Sequence, residues 1–239
     1  MIDNQINFSK KMKNKTNFSG STLLFIGVFF LFASSCDSGS GSFTDPRDGN
    51  VYQTKIIGHQ EWMVENLKYM PGVAEPDKGS RTTAYYYVYG YNGTDVSSAK
   101  ATKEYNNYGV LYNWTAAKDA CPDGWHLPGD DEWGHLTDYL RDAAAGKLKA
   151  TGNIEEGTGL WAQPNIGATN ETGFTALPGG IRHINGDFIY NGSDGAWWSA
   201  TDNSADEAWS RSMINLGSNV TRNYYYKDFG FSVRCVRYN

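Results

Sequence analysis

The stretch from Asn113 to Leu140, NWTAAKDACPDGWHLPGDDEWGHLTDYL, constrains the fold of this chain more than any other. It carries two helical patterns, three tryptophans and one cysteine, separated by breaks at Pro122-Asp123-Gly124 and at Pro128. Trp114, Ala117 and Cys121 recur at spacings of three and four, which predicts a short helix over 112–120 with one apolar face. Trp125 to Pro128 reads as extended. Asp130 is the expected N-cap of a second helix whose buried stripe is Trp133, Leu136 and Leu140, and Gly146 is expected to close that region. The remaining cysteine of the globular part, Cys235, lies four residues from the C-terminus, so the chain is expected to fold out from this segment and return to it.

The N-terminus reads as a targeting segment. Lys10, Lys11, Lys13 and Lys15 precede the apolar run Leu23–Ala33, which falls short of the roughly 20 residues a spanning helix needs. Met12 is an alternative start. Ala33-Ser34-Ser35-Cys36 places small residues directly before a cysteine and resembles a bacterial lipobox, with Ala33 where leucine is usual. Cys36 is therefore the expected lipidation site. Residues 1–35 are then a lipoprotein signal peptide, 36–44 a flexible Gly/Ser tether, and 45–239 the folded domain. The expected location is outside the cytoplasm, with a lipid anchor in the outer membrane. Acylation by more than one chain holds a protein to a bilayer without a transmembrane helix. Disulfides persist in that compartment.

The rest of the chain is predicted to be mostly β. Val51–Ile57 and Glu61–Leu67 read as an N-terminal hairpin turned at Gly58-His59-Gln60. Residues 70–109 read as irregular, with the tyrosines of Ala84–Tyr89 expected to pack at the surface more than to bind. Residues 147–173 form a long excursion pinned by Leu160, Trp161 and Ile166, and loops of that length are commonly functional. Gly180–Ile184 and Asp187–Tyr190 flank Asn185-Gly186, which predicts a hairpin with a type I′ turn. Gly195–Thr201, Glu207–Leu216 and Asn219–Tyr226 are expected strands, and Gly230–Tyr238 closes the sheet with Phe231, Val233 and Cys235 on one side. A net charge of −5 and a pI near 5.4 argue against a nucleic-acid surface, so no nucleic acid is expected as a partner.

Six blocks carry a resemblance to a known family. They are Asp48–Tyr52, Gln60–Leu67, Cys121–Pro128, Glu132-Trp133, Trp197–Thr201 and Gly230–Arg237. In this order they resemble the Fibrobacter succinogenes major paralogous domain, over roughly residues 45–239. That family is found mainly in exported bacterial proteins, many of them lipoproteins, and is similar to C-type-lectin-like domains. The resemblance implies an α+β class and a C-type-lectin-like fold, with two short helices packed on irregular antiparallel sheets with long loops. It also implies a disulfide between Cys121 and Cys235.

Neither a Glu-Pro-Asn nor a Gln-Pro-Asp loop followed by Trp-Asn-Asp occurs, so no recognisable calcium site is read. Gln163-Pro164-Asn165 comes nearest, and Asp194, Asp202 and Asp206 could give oxygens from one edge. Leu127–Trp133 is similar to a motif of formylglycine-generating oxidases, yet only Cys235 stands near the C-terminal strands. No hydrolase elbow, phosphate loop or dinucleotide fingerprint is present, so no enzyme is expected. The expected function is a cell-envelope module that binds glycan or another envelope component through its loops. The expected ligand-binding residues are Trp161, Asn165, Asp194, Trp197, Asp202 and Trp209, and a structural or protein-interaction role is the alternative. Arg234 and Arg237 are expected to be structural, in ion pairs.

Overall fold

A computed structural model describes residues 39–238, so the expected signal segment and Cys36 lie outside the described residues. In chain order the elements are β1 (Ser40–Thr44), β2 (Val51–Ile57), β3 (Gln60–Met63), β4 (Tyr86–Tyr87), α1 (Val96–Lys100), α2 (Lys103–Tyr108), β5 (Leu111–Tyr112), α3 (Trp114–Lys118), α4 (Asp130–Leu140) and α5 (Ala144–Leu148). They are followed by β6 (Gly179–Arg182), β7 (Phe188–Asn191), β8 (Asp194–Asp202), β9 (Glu207–Ile214), β10 (Thr221–Tyr226) and β11 (Val236–Tyr238). One sheet runs β1-β2-β3-β11, a second β10-β9-β8-β6-β7, and β4 pairs with β5. The class is α+β, β-rich with short helices.

Residues 40–44, expected in the tether, instead form an edge strand. Ser40 is in register with Lys55 and Thr44 with Val51, and main-chain pairing begins one residue earlier, where the Ile56 amide donates to the Gly39 carbonyl at 2.9 Å. The Asp45–Asn50 turn joins β1 to β2, with Gly49 at φ +76° and the Gly49 amide bonded to the Asp45 carbonyl at 2.8 Å. The folded part therefore starts before residue 45.

The helical brace follows the sequence pattern with shifted ends. α3 is shorter than expected because Asn113 caps it, its side-chain oxygen accepting from the Ala116 amide at 3.1 Å. Gly129, not Asp130, holds the N-cap position of α4, and Glu132 Oε2 reaches back to the Gly129 amide at 2.8 Å. The stripe Trp133, Leu136 and Leu140 is buried against Trp62, Phe174 and Trp197. Gly146 lies inside α5 instead of ending the helical region, because a Cβ there would stand 2.3 Å from the Gly167 carbonyl oxygen, a close approach that only glycine permits.

Two β expectations are corrected. The β6–β7 hairpin forms, with Ile181 opposite Ile189, but its turn runs over His183–Asp187, closed by the His183 amide on the Asp187 carbonyl at 2.8 Å. Of the pair Asn185-Gly186 only Gly186 has positive φ, so the turn is not type I′. The segment Gly230–Val236 does not sort its residues onto one side: Ser232, Arg234 and Val236 are as buried as Phe231, Val233 and Cys235. It threads between the sheets, bridging Arg182 from Gly230, Tyr112 from Phe231, Trp197 from Ser232 and His126 from Val236. The Cys121–Cys235 disulfide fastens the loop after α3 to this central segment, closing a sequence separation of 114.

Long loops bury many carbonyls, and buried carbonyls need donors. Three buried cations provide them. Arg234 donates to the Asn66 side chain at 2.9 Å and to the carbonyls of Phe174 and Thr175, over the Phe174 ring. Arg182 donates to the carbonyls of Pro76, Lys78 and Asp228 over the Tyr87 ring. Lys149 donates to those of Ile166, Ile214 and Gly217. Arg234 is thus structural, but through carbonyls and not through the ion pair expected of it. Arg237 does form one, with Glu61 at 2.7 Å.

Candidate functional site

The structure separates most of the residues expected to bind a ligand. Trp161 and Trp197 are fully buried and spend their indole N–H groups inside, on the Ala176 carbonyl at 3.0 Å and on Asn66 Oδ1 at 2.9 Å. Neither offers a ring face, because burial of apolar area places both in the α4 core. Asn165 is buried too, its amide donating to the carbonyls of Ala150 and Gly152. Its role is to hold the excursion closed.

Asp194 and Asp202 stand at the two ends of β8, a nine-residue strand. At about 3.3 Å per residue they are roughly 26 Å apart and cannot share an ion. Burial pushes the Asp194 carboxyl up, whereas Asp202 pairs with Lys227 and Asp206 with Arg81 at 3.0 Å. The loops before and after β8 likewise lie at opposite ends, so the excursion 147–173 does not line one groove with both, and it shares a cleft of about 280 Å³ with Asn191 at the first. The excursion instead seals onto one end, through the Ala162 amide on the Gly192 carbonyl at 2.7 Å and the Asn215 side chain on the Gln163 carbonyl at 2.8 Å. Ile166, expected to pin it, is 44% exposed.

Trp209 alone of the six is a half-buried ring on a sheet face. On β9 and β10 the residues facing α4 alternate, and Trp209 opposes Tyr224 while Arg211 opposes Arg222. Tyr224 meets Trp209 edge-on with ring centres 5.5 Å apart, and the Arg222 guanidinium stacks over Trp209 at 3.3 Å. Asp130, in the first turn of α4, joins the two arginines: its Oδ1 accepts from Arg211 at 2.6 Å and its Oδ2 from Arg222 at 2.9 Å. Burial lowers the Arg211 pKa, and the bond to Asp130 works against that shift.

Asp130, Arg211 and Arg222 of this ladder line a cleft of about 610 Å³ beside α4, together with Asp131, His135, Asp138 and Arg141, and Trp209 stands behind Arg222, outside that lining. Its walls come from α4, from Ala144 of α5, from Arg211 and Arg222 on the paired strands β9 and β10, and from Asn219 and Val220 between them. A planar stack, paired cations and open carboxylates can together hold a polar, hydroxyl-rich ligand by stacking and hydrogen bonds. The sequence reading missed Asp130, Arg211, Arg222 and Tyr224 here. The available signal was period two: Trp209 and Arg211, then Arg222 and Tyr224, each pair on one strand face.

A second polar cluster sits at the other side of α4, where His126 Nε2 lies 2.7 Å from the Glu132 carboxylate and the His126 ring packs near Tyr238. Glu132 is buried and caps α4, which makes the pair part of the brace. Cys235 is fully buried in its disulfide.

No curated protein and no solved structure matches this chain. The family model of the Fibrobacter succinogenes major domain matches residues 56–237, a span that takes in the helical brace, the five-stranded sheet and the central C-terminal segment, and begins after β1. The chain belongs to the Fibrobacter succinogenes major domain family.

Proposed function

We propose that this protein is an exported, lipid-anchored, non-enzymatic module of the cell envelope, built on a C-type-lectin-like fold, that binds glycan in the cleft between α4 and β9–β10. The observation that carries the reading is Arg222, which lines that cleft while stacking on Trp209, itself edge-on to Tyr224, with Asp130 holding Arg222 and Arg211 in place. Sugars present C–H faces that pack on aromatic rings and hydroxyls that bond to charged groups. The lectin-like reading is supported by the two-helix brace and by a disulfide from the end of the first of those helices to the last strand segment. Export and acylation at Cys36 rest on the lysine-rich leader, the apolar run and the small residues before that cysteine. Oxidase chemistry of the formylglycine-generating type would need a free thiol at Cys235, which is buried and bonded.

A glycan array with the mature chain, with and without calcium, tests the reading. Reproducible binding that Trp209→Ala abolishes is the expected result. A second reading, a protein-interaction component of the envelope, is favoured by Ile166, Ile214 and Leu216, which are exposed on segments joined at the β9–β10 turn. No sugar signal, together with a stoichiometric envelope partner lost in Leu216→Asp, would replace the first reading with the second.

A further inference from the structure

The strand β1 has a geometric consequence for the anchor. Main-chain pairing starts at Gly39, whose carbonyl accepts from the Ile56 amide at 2.9 Å. Only three residue steps separate Gly39 from Cys36, a reach of at most about 11 Å. A lipidated Cys36 lies at headgroup level, so this end of the β1–β2–β3–β11 sheet is held against the bilayer with little freedom to turn away.

The surface at that end is unlike an ordinary solvated one. Ile56, beside Gly39, is exposed, and the β2–β3 turn at Gly58 packs on Tyr139, whose ring lies 3.3 Å from where a Gly58 Cβ would stand. Tyr139 and Tyr238, at 63% and 64%, are the most exposed tyrosines among the described residues. They line one largely apolar cleft of about 390 Å³ with Ile57 and His59, and Tyr139 and Ile56 line a neighbouring one of about 360 Å³. Tyrosine with exposed aliphatic neighbours is the side-chain chemistry of a membrane interface, where an apolar ring and a polar tip are both satisfied.

We propose that the domain rests on the lipid bilayer through the face formed by Gly39, Ile56, Gly58, Tyr139 and Tyr238, an orientation that rests on the lipid-anchor reading above. The partner is the headgroup layer itself. Tyr139 lies in the last turn of α4, and the other end of that 11-residue helix touches Thr201, where the Asp130 amide donates to the Thr201 hydroxyl at 2.9 Å. At 1.5 Å per residue the Asp130 end stands about 15 Å from the Tyr139 end. The Trp209 ladder belongs to the end away from the membrane.

The test uses the full chain, produced with its leader in a lipoprotein-processing bacterium and reconstituted into phosphatidylethanolamine–phosphatidylglycerol vesicles carrying nitroxide headgroups. A polarity-sensitive fluorophore is placed by Tyr139→Cys or, at the far end, Ser204→Cys. The label at 139 is expected to shift to shorter wavelength and lose emission to the nitroxide, while the label at 204 keeps its emission. Hydrogen exchange of the unsubstituted chain gives a second readout, with slower exchange on vesicles expected over 55–59 and 137–141. Equal quenching at both sites, with Cys36 shown by mass spectrometry to be acylated, would overturn the orientation alone. An unmodified Cys36 would overturn the anchor reading and the orientation with it.

Discussion

The Lys149 ammonium lies 5.3 Å from the centre of the Trp161 ring and donates to three main-chain carbonyls, with no carboxylate partner among the described residues. One side chain thereby ties α5 to the excursion and to the β9–β10 turn. Burial pushes its pKa down to about 8. Unfolded, the same lysine keeps its proton up to about pH 10.4. Between those values the unfolded chain binds more protons, so stability is expected to rise with pH from about 8 to 10. Above about pH 10 the trend reverses, because buried tyrosines such as Tyr87, pushed up to about 12, keep protons that the unfolded chain loses. Lys149→Met should remove the rise and cost about 1–3 kcal/mol by orphaning the carbonyls. Urea unfolding from pH 7 to 10 on both chains measures it, and a flat wild-type curve would refute the assignment.

The Cys121–Cys235 disulfide closes a loop with a separation of 114 residues. In the chain-entropy description its removal as Cys121→Ala/Cys235→Ala costs about 4–5 kcal/mol. Thermal unfolding of the double variant against the oxidised chain checks this. An unchanged midpoint would mean that the unfolded state is already constrained.

Tryptophan substitutions should divide by position. Trp161→Ala and Trp197→Ala each empty a fully buried site and are expected to cost about 3–5 kcal/mol, so any loss of binding would follow loss of fold. Trp209→Ala should leave the unfolding transition within about 1 kcal/mol and remove ligand binding. Circular dichroism melts run beside the binding assay separate the two outcomes.

Two helical glycines should respond with opposite signs. Gly134, in α4 and lining the cleft, has nothing within 4 Å of an added Cβ, so Gly134→Ala is expected to stabilise by about 1 kcal/mol. Gly146→Ala drives a Cβ into the Gly167 carbonyl and is expected to destabilise by about 1–3 kcal/mol. Denaturant midpoints of the two variants are sufficient to decide.

Much of the scaffold was legible because it is local. The helical stripe Trp133, Leu136, Leu140 and the alternation of β9 and β10 follow from side-chain periodicity, which a linear sequence records. The hairpins at Val51–Met63 and Gly179–Asn191 were legible for the same reason, although the turn at His183–Asp187 was not, since one glycine at positive φ fits more than one turn type.

Burial, in contrast, is a property of three dimensions. Trp161, Trp197 and Trp209 are chemically identical in the sequence, and only the packing of α4 against β8 makes the first two core and leaves the third half-buried beneath Arg222. Asp194 and Asp202 are only eight positions apart in the sequence, yet an extended strand carries them to opposite ends of β8.

By itself the sequence determined a β-rich domain around a two-helix brace and the blocks that mark its family, while the leader ending at Cys36 belongs to the proposed function. The tertiary structure decided what no periodicity encodes. It joined Asp130 to Arg211 and Arg222 across about 80 to 90 residues, replaced an expected tether by the edge strand Ser40–Thr44, and turned Lys149, Arg182 and Arg234 into buried donors for loop carbonyls. The physical reason is that hydrogen bonds and burial are settled between segments, and which segments meet is fixed only when the whole chain has folded.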